Sequence, residues 1–581
     1  MRANPSEVLF SRADAFDRWG GRAPILIGVT GHRNIHPGDT KLSDAVKAEC
    51  ARLRKHYIHS PFVVLSSLAE GADRLVARVA MEELSAELIA VLPMPQNEYE
   101  RDFLIEESKA EFRSFLSRAC FVKEASIPEG DACDASRALE GEQRNRQYAR
   151  AGAIVADHAQ VLFAIWDGKP ARGRGGTGDQ VAWFERGDAP NEYSLYKEAM
   201  SPLDPLEPGL LIRIDPATAK VITTKCPVQA TSQGASAGTD IRQILDRIDR
   251  YNRDVLRNKT LIASSPHLAA SGEDPSFAVT DLIFRASDAL SALFAKTVRN
   301  SDGLIYALAL GAVAVFNFVT NKAWAPSMYL GITLVMAILA AGILARSVDN
   351  RFLEYRCLAE AARTLFFWRN AGVMRPLWIT LLSRQPGAMH WVRQAARSME
   401  FCQDGRLAAN GPTPEGLDIA KTCWVDDQKA WLAKKERYHL ERYRFWKWAS
   451  RLAIAASFVT AIGLALLTVI PHGGGGSLWE SWVKPDNYGD FWQAALGLFA
   501  GGGVAARGFL MRRAHLELAK QYASQRQIFE NASRMLEKIK GDPKPEWTAV
   551  QILEKLGHEA LQEQTEWLWL RHTRPFEVPA A

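Results

Sequence analysis

Across 581 residues there are only 7 cysteines, and no two of them form a CxxC pair. Cys50, Cys120, Cys133, Cys226, Cys357, Cys402 and Cys423 are scattered and odd in number, which excludes a disulfide framework and fits a reducing compartment. The 12 histidines contain no HExxH, so a zinc centre has no support in the pattern. Charge of one sign is also scarce. Lys+Arg at 71 against Asp+Glu at 66 leaves +5, which argues against a nucleic-acid partner. Met1 to Gly21 mixes Arg, Asp and Glu without an apolar core, so it does not read as a signal peptide, and the N-terminal head is expected to stay in the cytoplasm.

What is present is uneven. The 47% hydrophobic and 24% charged residues exclude a disordered or fibrous chain, and the length calls for several domains. A mean hydropathy of -0.15 hides a split, because four apolar blocks lie in the C-terminal half and the 17 Trp gather near them. Gly303 to Asn321 and Ala323 to Ala345 carry no charge, Leu452 to Ile470 is a third block, and Phe491 to Ala506 a shorter fourth. Each of the first three is about long enough for a hydrocarbon layer of roughly 30 Å. One such block alone would read as a core helix; two closely joined pairs read as membrane hairpins.

Basic residues set the expected orientation. Lys296, Arg299, Arg346 and Arg351 flank the first pair, and its turn holds only Lys322. Seven Lys or Arg between Lys434 and Arg451 precede the second pair, and Arg507, Arg512 and Arg513 follow it. The positive-inside rule then places both termini and the middle segment in the cytoplasm. Leu518, Tyr522, Gln525, Phe529, Ala532, Leu536 and Ile539 form a heptad seam that requires a partner helix. Gly497 and Gly501 make a GxxxG, a short and common pattern. The spans hold no Asp, Glu, Lys or Arg apart from Arg507 at an edge, so no ion relay of a transporter is visible.

The N-terminal half alternates continuous apolar runs with helical stretches. Pro24–Val29, Phe62–Leu65, Leu88–Leu92 and Val161–Trp166 read as buried strands, with helices at Leu42–Tyr57 and Asp73–Leu84 between them. That pattern predicts an α/β Rossmann-like parallel sheet. Leu210–Thr224 reads as a hairpin extension, Ala230–Thr239 as a linker, and Ile241–Leu256 and Phe277–Val298 as helices.

Three strand-to-helix loops carry candidate chemistry. The first holds Gly28, Thr30, Gly31, His32 and Arg33, where small residues admit a ligand to backbone N–H groups and Thr30 and Arg33 can bond phosphate. The second holds Ser66, Ser67, Glu70, Gly71 and Asp73, which suit ribose and phosphate hydroxyls; helix capping by Ser67 or Asp73 is the plainer account. The third runs from Asp167 through Arg172, Arg174, Gly175, Gly176, Thr177 and Gly178 into a helix over Gln180–Phe184, a ready anion site at a helix N-terminus. In a parallel sheet all three converge at the carboxyl edge. Arg144, Arg146, Gln147 and Tyr148, like Tyr99, Arg101 and Asp102, read as solvated faces, with reach into that pocket as the alternative.

From Ala23 to Phe184 the head resembles the SLOG superfamily of Rossmann-like nucleotide-binding proteins, which includes DprA-like and LOG members; the likeness rests on Gly28–Arg33, Gly71-Ala72-Asp73 and Gly175–Gly178. The resemblance implies a nucleotide or nucleotide-derived ligand with phosphate on the Gly-rich loop, and no further cofactor. LOG hydrolases carry PGGxGTxxE, whose Glu serves glycosidic cleavage; here Arg174, Asp179 and Ala182 occupy the Pro, Thr and Glu positions. A methyl group cannot act as an acid or base, so that activity is not expected unless Glu70, Asp73 or Asp179 substitutes. The paired spans running into Glu354–Glu360 look like SLATT-type effector modules. Together these resemblances imply a homo-oligomeric sensor and effector of the bacterial inner membrane, in antiviral defence; a membrane-tethered nucleotide hydrolase or transferase is the alternative. The expected segments are an extension over 1–22, the head over 23–229, linker and helices over 230–300, hairpins over 301–346 and 451–510, and cytosolic helices over 347–450 and 511–581.

Overall fold

A computed structural model describes residues 19–36, 38–126, 141–171, 173–187, 189–190, 192–193, 207–226, 240–269, 277–319, 324–346, 348–381, 390–404, 412–469, 488–540 and 546–572. The expected linker at Ala230–Thr239, Arg172 and the two hairpin turns at 320–323 and 470–487 lie outside them. The chain divides into two units. One holds Met1–Leu290, Glu354–Ala420 and Leu553–Trp569; the other holds Ser291–Leu353, Lys421–Ile552 and Leu570–Ala581.

The first unit is built on a mixed, mostly parallel sheet: β1 (Ile25–Gly31), β2 (Phe62–Ser66), β3 (Glu87–Leu92), β4 (Ala119–Glu124), β5 (Val161–Ile165), β6 (Gly209–Ile214) and β7 (Val221–Cys226). The order is β4-β3-β2-β1-β5-β6-β7, and only β6–β7 is antiparallel. Ile27 pairs with Val64 on one side and Val161 on the other, so both neighbours of β1 run beside it. The apolar runs read from the sequence form β1, β2, β3 and β5, buried along almost their whole length. β4, whose apolar run Ala119–Val122 follows directly on a helix and ends in Lys123 and Glu124, is not among the strands read from the sequence.

The helices of this sheet are α1 (Thr40–His56), α2 (Ala72–Glu83), α3 (Gln96–Tyr99), α4 (Glu106–Arg118), α5 (Gly141–His158) and α6 (Thr177–Arg186). Local chemistry sets their ends: Asp39 caps α1 by accepting the Leu42 N–H, and Gly187 closes α6 in the left-handed region. Behind β7 come α7 (Ile241–Arg257) and α8 (Lys259–Ala263). Asn252 of α7 bonds both backbone groups of Ala23 and the Ser60 hydroxyl, tying α7 to the entrance of β1.

Segments far along the chain complete this core. They belong to α11 (Val348–Asn370), α12 (His390–Asp404) and α17 (Ala549–His572), whose numbers follow α9 (Ala278–Val319) and α10 (Ala325–Arg346). Trp391 donates to Glu354 at 2.9 Å, Tyr355 donates to Asp254 at 2.8 Å, and Trp368 donates to the Leu553 carbonyl at 2.9 Å. Arg369 bonds both Glu400 (2.5 Å) and Asp404 (2.6 Å), and Glu400 also accepts the Leu377 N–H. The middle segment, expected as a separate helical region, thus contributes 354–420 to the unit of the sheet.

The second unit is helical. It contains most of α9 and all of α10; α13 (Pro414–Ile419), which closes the first unit, leads through a π-helical turn (Ala420–Asp426) into α14 (Asp427–Val469), α15 (Tyr488–Arg513) and α16 (His515–Ile539) of the second. The heptad seam finds its partner within the chain: Tyr522 and Phe529 of α16 meet Trp431 and Trp424 edge-on. Small residues let α15 approach its neighbours. Gly503 O accepts from Ser450 of α14 at 2.9 Å, and Gly501 faces Val313 of α9. Ile305 of α9 packs with Met336 of α10. Two stretches, Pro414–Leu466 and Ala494–Ile539, include helices long and apolar enough to cross a membrane, with mean hydropathies of 1.7 and 1.4 in their most apolar windows. Only 6% of the first window is buried, which separates it from an ordinary core helix.

Candidate functional site

The strand order reverses direction between β1 and β5, because the chain moves outward from β1 to β4 and then returns to β5 beside β1. A crevice outside the carboxyl ends of the strands forms at such a reversal. The three expected loops meet there. The His32 N–H bonds the Ile165 carbonyl at 3.1 Å, and the Ala72 N–H bonds the His32 carbonyl at 3.1 Å, so the tips of β1, β2 and β5 adjoin. His32 Nε2 accepts the Asp167 N–H at 3.3 Å and stands 3.2 Å from Asp167 Oδ1.

The members of each loop differ in what they face. Gly28 lies inside β1 beneath Val155 and Ala159 of the α5 end, below the tip, while Thr30 is buried and Gly31 touches Ala72. Arg33 is 47% exposed; its guanidinium lies 5.1 Å over the Tyr148 ring and 3.9 Å from Asp102. In the second loop Ser66 accepts the Leu68 N–H, and the Asp73 carboxylate takes the N–H groups of Ser67 and Ala69. Ser67 and Asp73 do not cap α2; Gly71 does, at φ 82°, where a side chain would overlap the Arg33 carbonyl. Burial pushes the Asp73 carboxyl up to about 7, against the opposing pull of those N–H groups, Arg33 and Arg74. Glu70 accepts the Ser108 hydroxyl.

The third loop is a compact turn. Gly175 has φ 74° and lies against the backbone of Ala149 in α5; its N–H donates to Asp179 at 2.9 Å and its carbonyl accepts from Gln180 at 2.8 Å. The chain's own carboxylate therefore holds one of the donors expected to serve an anion. Gly176 is the N-cap of α6, so Thr177 and Gly178 stand in the first turn, where N–H groups have no helical acceptor. Gly178 faces the backbone of Lys169 and Ala171, which fold over this end. Arg174 reaches Glu142 at 3.0 Å on the surface.

Beside Arg33 lie residues that read as solvated faces. Arg144 of α5 bonds Glu98 at 2.7 Å and Asp102 at 2.5 Å, and Tyr148 donates to Asp102. Tyr99 is buried against Phe103 and Phe112. Burial raises the hydroxyls of Tyr99 and Tyr148 above their ordinary value. The spacing of Arg144 and Tyr148, four apart on one helical face, was the signal available for them. Gly173, Gly175 and Gly178 also stand at GxGxxG spacing between a strand and a helix, a pattern that reading the first loop alone overlooks. Unlike that fingerprint, the loop from β5 to α6 is long, spanning 166–176.

Among the described residues no group of three His, Cys, Asp or Glu side chains is placed to hold a metal ion. No family model, curated protein or solved structure matches the chain.

Proposed function

We propose that the chain is a membrane-anchored sensor whose head binds a nucleotide-derived, phosphorylated small molecule and thereby biases the arrangement of its apolar helices. One observation carries the reading: the tip of β1 is hydrogen-bonded to the end of β5 and to the start of α2 at the reversal of strand order, where α/β sheets bind ligands. Arg33 stands over this crevice with its guanidinium stacked on Tyr148, and Thr177 and Gly178 head α6. The SLOG-like motifs agree in placing phosphate there, and the SLATT-like hairpins agree with an oligomeric effector in bacterial antiviral defence. Ligand can move such an equilibrium only through unequal affinity for two states.

The test is mass spectrometry of small molecules that co-purify with the full chain, beside Arg33→Ala. The exposed arginine can be removed without opening the core, and retention of a nucleotide-like anion is expected to fall about tenfold or more, as for a lost charged hydrogen bond. Equal retention, or no anion in either preparation at any added nucleotide concentration, overturns the proposal.

A second reading is supported by Asp73, a buried carboxyl held near neutrality in the first turn beside the crevice. It makes the head a nucleotide hydrolase or transferase with Asp73 as acid or base. Release of free base from added nucleotides by wild type, and not by Asp73→Asn, would select it.

A further inference from the structure

Contacts in the helical unit mark one level on three helices. Phe509 of α15 meets Tyr306 of α9 edge-on at 5.3 Å and Trp446 of α14 at 4.8 Å. On one side of this level lie the apolar stretches of all three helices. On the other lie their basic ends: Arg299 of α9, Arg442 and Arg444 of α14, and Arg512 and Arg513 of α15. Trp448, exposed at the same level, has the amphipathic ring of an interfacial belt, and the exposed Phe445 adds apolar surface beside it.

Within the basic end one cluster is closely built. Asp302, one turn beyond Arg299 in α9, is buried; Arg512 Nη2 lies 3.8 Å from its Oδ1 and Arg513 Nη1 lies 3.6 Å from its Oδ2. Arg513 also donates to the Arg299 carbonyl at 2.6 Å and lies over the Phe509 ring. Arg299 and Arg512 act on Arg513 as like charges, while Asp302 opposes them. Two guanidinium groups thus share one buried carboxylate, and the exposed Arg299 adds a third positive charge close enough to act on Arg513, leaving net positive charge at a partly desolvated edge, where an anion is attracted more strongly than in water.

We propose that Arg299, Arg512 and Arg513 form a binding site for the phosphate of an anionic phospholipid headgroup, with the acyl chains lying along the apolar faces beyond Tyr306 and Phe509. Guanidinium groups suit phosphate through paired N–H donors, and the aromatic level supplies the boundary between headgroup and tail. The site rests on the reading that these helices lie in a bilayer.

The full chain, in a non-ionic detergent, is titrated with the anionic lipid POPG, the zwitterionic lipid POPC or inorganic phosphate while its melting temperature is followed. POPG is expected to raise the transition and POPC to leave it unchanged. The half-saturating POPG concentration should rise about twenty-five-fold in R512Q/R513Q, at about fivefold for each arginine. It should fall in Asp302→Asn, which frees positive charge; a merely structural ion pair would give the opposite sign. Equal effects of POPG and POPC, an effect of inorganic phosphate matching that of POPG, or a loss in Arg437→Gln as large as in the double variant each overturns the site. Release of the wild-type chain from membranes by alkaline carbonate would instead overturn the bilayer reading itself.

Discussion

Asp73 shows how one side chain serves both loop and crevice. Its carboxylate ties down the N–H groups of Ser67 and Ala69, which keeps the β2–α2 loop in place although Leu68 stands at φ 57°. Burial nonetheless favours the proton. Between the ordinary value of 3.8 and about 7 the folded chain holds a proton that the unfolded chain has lost, so this group's contribution to stability declines as pH rises through that window. Asp73→Asn, which keeps one carbonyl acceptor, is expected to gain on wild type in melting temperature from pH 4 to 7 and to run parallel above it. Parallel profiles throughout would mean that Asp73 is ionised in the folded protein. At the same scale, Gly175→Ala must place a methyl group against Ala149 at a positive φ, so it should destabilise the loop and weaken ligand retention together.

At the scale of elements, buried polar clamps fix one helix against another. Arg369 and Glu400 are almost wholly buried, and their pairing fixes α11 against α12. Such a pair adds little net stability, yet removing one partner strands a charge. Arg369→Met is therefore expected to cost about 3–5 kcal/mol in denaturant unfolding of the full chain, and the double change with Glu400→Leu should recover much of it. In the helical unit the glycines of α15 act through proximity. Gly503→Leu must push against Ile454 and the Ser450 carbonyl of α14, so it is expected to separate α14 from α15 and lower the melting temperature in detergent.

For the whole molecule the decisive quantity is exposed apolar surface. Leu452, Phe458, Val459, Ile462, Leu466 and Val469 of α14 are all exposed, a continuous stripe that water would penalise. A bilayer removes that penalty. The expected outcome is a chain that stays in the membrane pellet after an alkaline carbonate wash; full recovery in the supernatant would show that the stripe is covered by protein. Coupling between head and helices then requires two states of the full chain that ligand distinguishes.

Sequence alone determined the elements whose residues are buried on every side or along one face. The runs in β1, β2, β3 and β5, the α6 start after glycine and the seam of α16 follow from periodicity and backbone chemistry, which are local. The three loops could be assigned to the carboxyl edge because parallel strands point their ends the same way. Tertiary structure alone decided the rest. β4 has only the short run Ala119–Val122 and follows α4 with no break between them; the partners of Arg33 come from the turn after α3 and from α5, more than sixty residues away; 354–420 joins the unit of the sheet through pairs such as Arg393–Glu207 and Tyr355–Asp254 between distant segments. Hydrophobic patterning records whether a residue is buried, and hydrogen-bond partners across such separations leave no period for a sequence to show.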